Sequence, residues 1–171
     1  SALAPENTLV SYRMAIEAGA DMAECDVYLT KDSIPVLMHD RTIQRTTGTK
    51  GRLRDMTLEQ VKKLEAGKWK SPKFAGEPVP TLVEALDLTR GKLRFVIEIK
   101  EEAIAPEVLK AIQSAKVDPQ DVMIFSFYDK AVDEIARLEP LLPTTWLVDD
   151  AGLDEAAWRT TLAKALKIRV S

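Results

Sequence analysis

Glu24 and Asp26 flank Cys25 inside an otherwise largely apolar stretch, and that spacing constrains the fold more than any other feature of the chain. Residues 21–29 read as a strand. Side chains in a strand alternate between two faces, so Glu24 and Asp26 share one face and Cys25 takes the other. The odd positions Ala23, Cys25, Val27 and Leu29 are apolar, and the even positions Met22, Glu24, Asp26 and Tyr28 carry the polar atoms. Two carboxylates on one dry face need a compensating cation. A solvated sheet face is the plainer reading of the same pair.

The rest of the chain alternates in type. Residues 7–18 have helical spacing, with Gly19 suited to the stop. Lys31-Asp32-Ser33 reads as a turn, and residues 34–39 return as a hairpin partner. Residues 41–56 are polar, carry four arginines and two glycines, and read as a long loop. Thr57-Leu58-Glu59-Gln60 is a capping box opening a helix toward Gly67. Residues 68–80 form a second loop, and Thr81-Leu82-Val83-Glu84 caps a helix that Gly91 closes. Strands are expected at 93–100, 122–127 and 144–148, and helices at 105–116, from Asp129 to Pro140, and at about 154–166. Pro106 is tolerated in the first turn of its helix.

This order implies a parallel sheet with crossover helices. Each strand has one wholly apolar face, and the other turns polar only toward its C-terminal end. In an α/β barrel the active site lies at that end. A doubly wound open sheet also binds ligands there, so the pattern leaves both architectures open.

In the strand at 93–100, Phe95, Ile97 and Ile99 share one face, and Val96, Glu98 and Lys100 share the other. Three acids, Glu24, Asp26 and Glu98, thus occupy late positions on inward faces. An oxygen-only ligand set suits a divalent ion, Mg²⁺ or Ca²⁺. One histidine and one cysteine argue against a dedicated zinc site. Lys100 could hold a phosphate or balance the acids as a structural pair. His39, the only histidine, ends an apolar strand beside Asp40 and is the candidate proton carrier; a structural or surface histidine is the alternative. Cys25 reads as a small buried apolar residue. Trp69, Trp146 and Trp158 read as packing residues, and the arginines of 41–54 as a solvated loop from which one or two could meet an anion.

With 171 residues the chain can bury a real core. A net charge of -3 offers no basic field for nucleic acid. No apolar run approaches the ~20 residues of a membrane span.

Ala4-Pro5-Glu6-Asn7-Thr8, Glu24-Cys25-Asp26-Val27, Leu29-Thr30-Lys31-Asp32, Pro35-Val36, His39-Asp40, Arg45-Thr46-Thr47-Gly48 and Ile97-Glu98-Ile99-Lys100 follow one another in order across residues 1–100. Together they resemble the glycerophosphodiester phosphodiesterases, and Ser126-Phe127 extends the match. The resemblance implies a TIM (β/α)8 barrel and metal-dependent hydrolysis of glycerophosphodiesters to glycerol 3-phosphate and an alcohol. It implies Glu24, Asp26 and Glu98 as metal ligands, His39 as one of two acid–base histidines, and Lys100 as the phosphate contact. The substrate would be a small phosphodiester.

The family's His-Arg-Gly strand would precede Ala4, and a full barrel needs about 250 residues. The chain is therefore expected to be one partial barrel domain, residues 1–171, lacking the first and last strands and carrying a loop-rich insertion at about 30–80. Open strand edges would need cover, which makes a homo-oligomer one expectation. Weak or absent activity is another, as in a remnant that binds metal or phosphoester. A lysophospholipase D- or sphingomyelinase D-like phosphodiesterase is a further reading. The compartment stays open, with the cytoplasm preferred.

Overall fold

The computed structural model describes residues 2–149, 152 and 154–165. Thr8 opens the first helix, α1 (Leu9–Glu17), by accepting the Ser11 N–H on its side chain. Two strands follow, β1 (Met22–Leu29) and β2 (Pro35–Leu37), and they pair antiparallel with Tyr28 opposite Val36. Ser33 at φ 62° makes the turn between them. The chain then crosses a polar excursion with two short helices, α2 (Gln44–Thr47) and α3 (Leu58–Val61), before α4 (Leu82–Thr89). Thereafter β3 (Arg94–Ile99), α5 (Ala105–Ala115), β4 (Val122–Ser126), α6 (Asp129–Leu138), β5 (Thr144–Trp146) and α7 (Glu155–Ala165) alternate.

Among the described residues the sheet runs β2-β1-β3-β4-β5, parallel except for β2. It is an α/β arc that does not close into a barrel. Cys25, Val27, Phe95, Ile97 and Ile99 bury their outward faces against apolar residues of α1, α4 and α5. A second cluster, including Tyr28, Val36, Met38, Ile43 and Val79, anchors the excursion. The expected facing of Cys25 into the apolar layer holds, with no exposure at all.

Two local expectations are corrected. The helix opened by the Thr57–Gln60 capping box stops at Val61 instead of reaching Gly67. Nonlocal bonds compete for the backbone beyond it: Ala66 N donates to Glu77 O at 2.7 Å, and Glu65 Oε1 accepts from Gly67 N and Lys68 N. Gly67 also lies where a Cβ would sit 2.1 Å from Phe74 O, so only glycine fits that close approach. The 41–56 loop contains α2 and a 3₁₀ turn at Leu53–Asp55. The helix expected from Asp129 does begin there, as α6, with Tyr128 at the N-cap position. The end of the helix expected at 154–166 lies outside the described residues.

Candidate active site

The register of β1 on β3 sets Asp26 directly beside Glu98, with Glu24 one repeat earlier and Lys100 one repeat later. Carboxylate oxygens of Glu24, Asp26 and Glu98 lie within 4.8 Å of one another. Asp26 is buried, Glu98 is half-buried, and Glu24 keeps an open side. Lys100 Nζ stands 2.8 Å from Glu98 Oε1 and 3.2 Å from Asp26 Oδ1. Loss of solvent contact, and then the charges of Asp26 and Glu98, push the Glu24 carboxyl up to about 7, while Lys100 and His39 pull the other way. Three carboxylates crowd here against one ammonium group, an arrangement short of positive charge. Hard oxygen donors with a formal deficit of two charges suit a divalent cation such as Mg²⁺ or Ca²⁺.

β2 pairs only with Val27–Leu29, which leaves the earlier part of that β1 edge to side chains. Asn7 clasps Asp26 twice, donating from Nδ2 to Oδ2 at 2.8 Å and accepting the Asp26 N–H on Oδ1 at 3.1 Å. Asn7 does so from a left-handed backbone (φ 54°), which asparagine tolerates better than most residues. The Tyr12 hydroxyl donates toward the Glu24 carbonyl and Asn7 Oδ1, each at 3.3 Å. Its ring packs edge-on against Phe95.

His39 arrives from the other side. Met38 N donates to Asp26 O at 2.9 Å, which fastens the end of the hairpin beside the acid cluster. His39, Asp40, Glu24, Asp26, Glu6 and Arg45 line one cavity of about 560 Å³. His39 Nδ1 sits 2.9 Å from Asp40 Oδ1. Arg45 donates to both Asp40 oxygens, at 2.7 and 3.0 Å, and with its other edge to Glu6. Arg45 holds the Asp40 carboxyl down to about 2.

The five residues singled out by sequence therefore fall into two groups that meet. Glu24, Asp26, Glu98 and Lys100 make one cluster, and His39 shares a cavity with its first two members. Sequence reading missed Glu6, Asn7, Tyr12 and the particular role of Arg45. Arg45 and Arg54 are exposed, as expected of a solvated loop, and acids from distant segments hold them, Glu6 for Arg45 and Glu101 for Arg54. Trp69, expected as packing, is 39% exposed and stacks beneath Arg45 at 5.6 Å. Trp158, expected likewise, is 40% exposed.

The sequence model of the Glycerophosphoryl diester phosphodiesterase family matches residues 1–171. The chain belongs to this family. A glycerophosphodiester phosphodiesterase of Caldanaerobacter subterraneus is 41% identical, across 81% of this chain and 59% of that protein. One of Bacillus subtilis is 33% identical, across 91% of this chain and 61% of its own length. The chain thus spans about three fifths of the length of these two curated relatives. Among solved structures, an Oleispira antarctica phosphodiesterase in complex with the product sn-glycerol-3-phosphate superposes with a TM-score of 0.82 at 30% identity, over 96% of this chain and 68% of that one. The glycerophosphodiester phosphodiesterase of Agrobacterium tumefaciens gives 0.77 at 30% identity, over 83% of this chain and 61% of its own. The structural neighbours are TIM-barrel proteins of this family, so the open sheet here is an arc of that architecture. No helix among the described residues is long and apolar enough to cross a membrane.

Proposed function

We propose that the chain carries the metal- and phosphate-binding part of a site that hydrolyses glycerophosphodiesters to glycerol 3-phosphate and an alcohol. The observation that carries this reading is the convergence of Glu24, Asp26 and Glu98 from two neighbouring strands, with Lys100 at their side. Glu24, Asp26 and Glu98 would hold a divalent cation, Mg²⁺ or Ca²⁺. Such an ion, when bound, supplies charge compensation to a phosphate oxygen. Lys100 contributes a second positive charge toward the same phosphate. His39 accepts or delivers the proton that moves with the alcohol. Asn7 keeps the Asp26 carboxylate aimed through its paired hydrogen bonds.

The test is hydrolysis of glycerophosphocholine with Mg²⁺ or Ca²⁺ against a chelated control, following sn-glycerol 3-phosphate release. The proposal expects release that stops with chelator and with Glu98→Gln. Metal-independent release would contradict it. Saturable binding of the cation and of glycerol 3-phosphate without product release would instead select a module that binds metal and phosphoester without turnover.

A further inference from the structure

We infer that Asp40, Arg45 and Glu6 form a positioning relay that fixes the tautomer of His39, with the proton on Nδ1 and Nε2 left to exchange protons. The inference rests on the proposed role of His39 as proton carrier and adds the groups that prepare it.

The chemistry follows from donor and acceptor types. An ionised carboxylate only accepts hydrogen bonds, so the 2.9 Å contact between His39 Nδ1 and Asp40 Oδ1 requires Nδ1 to carry the hydrogen. In the neutral ring that leaves Nε2 with the lone pair. Nδ1 is the only ring nitrogen with a partner among the described residues. The His39 side chain is 57% exposed, so packing alone does not orient the ring. Its orientation depends on the carboxylate, and the carboxylate depends on Arg45.

Arg45 is suited to that task because its planar fork binds two acids at once. Nε and Nη2 meet the two oxygens of Asp40 at 2.7 and 3.0 Å, which prevents the carboxylate from rotating away from the ring. Nη1 meets Glu6 Oε2 at 3.1 Å, and Nη2 meets Glu6 Oε1. Trp69 covers one face of the guanidinium. An exposed ion pair taken alone contributes little to stability. Here one guanidinium is shared by two carboxylates and capped by an aromatic ring, so its value lies in fixed geometry. The adjacent Asn7 holds Asp26, so the Glu6-Asn7 dipeptide tethers the histidine and the acid cluster to one point of the chain. The charged groups facing His39 are Asp40 on its own segment, Glu24 and Asp26 from β1, and Glu6 and Arg45 across the cavity.

A single histidine makes the test direct. The chain, labelled with ¹⁵N at histidine, is placed in alkaline buffer without metal or substrate, and two-bond ¹H–¹⁵N correlations read which ring nitrogen is protonated. The Nδ1–H form is expected to dominate the unmodified chain. Asp40→Ala is expected to invert the ratio in favour of Nε2–H. Arg45→Met and Glu6→Gln are expected to lower the Nδ1–H share, and Arg45→Lys to recover part of it. Circular dichroism identifies any variant that fails to fold, and Glu6→Gln alone then decides the matter. A dominant Nε2–H form in the unmodified chain overturns the inference. So does an unchanged ratio in Glu6→Gln and Arg45→Met. Because the readout needs no turnover, a chain that shows the Nδ1–H form yet hydrolyses nothing upholds the relay and rejects the proposed function separately.

Discussion

The acid cluster and the histidine network meet in one cavity but are built in opposite ways. The cluster stands on two paired strands, and its residues hold position because β1 and β3 share a register over Met22–Val27 and Arg94–Ile99. The histidine network stands on loop and hairpin ends, and its side chains hold one another across 39 residues of sequence. One half draws its precision from backbone hydrogen bonds, and the other from a guanidinium between two acids. Each half carries one cation, but Lys100 faces the three carboxylates of the strand-borne half and Arg45 the two of the loop-borne half.

That contrast can be broken at four points. Glu98→Gln removes a donor from the strand-borne half, and calorimetric titration with Mg²⁺ or Ca²⁺ should show affinity lowered by more than the roughly 10- to 100-fold typical of losing an outer partner. Asn7→Ala removes such a partner and leaves the Asp26 N–H without its acceptor, so a loss of about 10- to 100-fold is expected in the same titration. Glu24→Gln tests the crowding of charge. In the metal-free chain it should raise the melting temperature by about 2 °C or less, with contact to solvent trimming the effect. The sign follows from the raised carboxyl. Ionised Glu24 is disfavoured in the folded state, so the destabilisation grows as pH rises from the ordinary glutamate range through about 7 and vanishes below it. Melting curves at acid and alkaline pH should show the variant's advantage only at the alkaline end. Arg45→Met should move metal affinity least, within the 0.5 kcal/mol or so that separate sites show. A large loss there would mean that the two halves are one unit.

The same division governs what was legible in the sequence. Period-two alternation exposed the inward acids of β1 and β3, because strand geometry is local and strict. The acids' convergence depended on strand order, which the alternation of elements implied through crossover connections. The relay had no such signal. Glu6 and Arg45 lie in segments without periodicity, and only the folded chain brings them together. The early end of α3 was hidden for the same reason, since the bond from Ala66 to Glu77 that displaces the helix is nonlocal. The helical spacing of residues 7–18 includes Asn7, whereas α1 starts at Leu9 and Asn7 lies before its Thr8 cap, and nothing in the surroundings of Asn7 named Asp26 as its target.

The most direct measurement is the stoichiometry of Mg²⁺ and Ca²⁺ binding to the unmodified chain, compared with a chain carrying Glu24→Gln, Asp26→Asn and Glu98→Gln together. One ion per chain in the first and no saturable binding in the second is the expected result. Absence of binding in the first, or equal binding in both, would contradict a cation held by these three carboxylates.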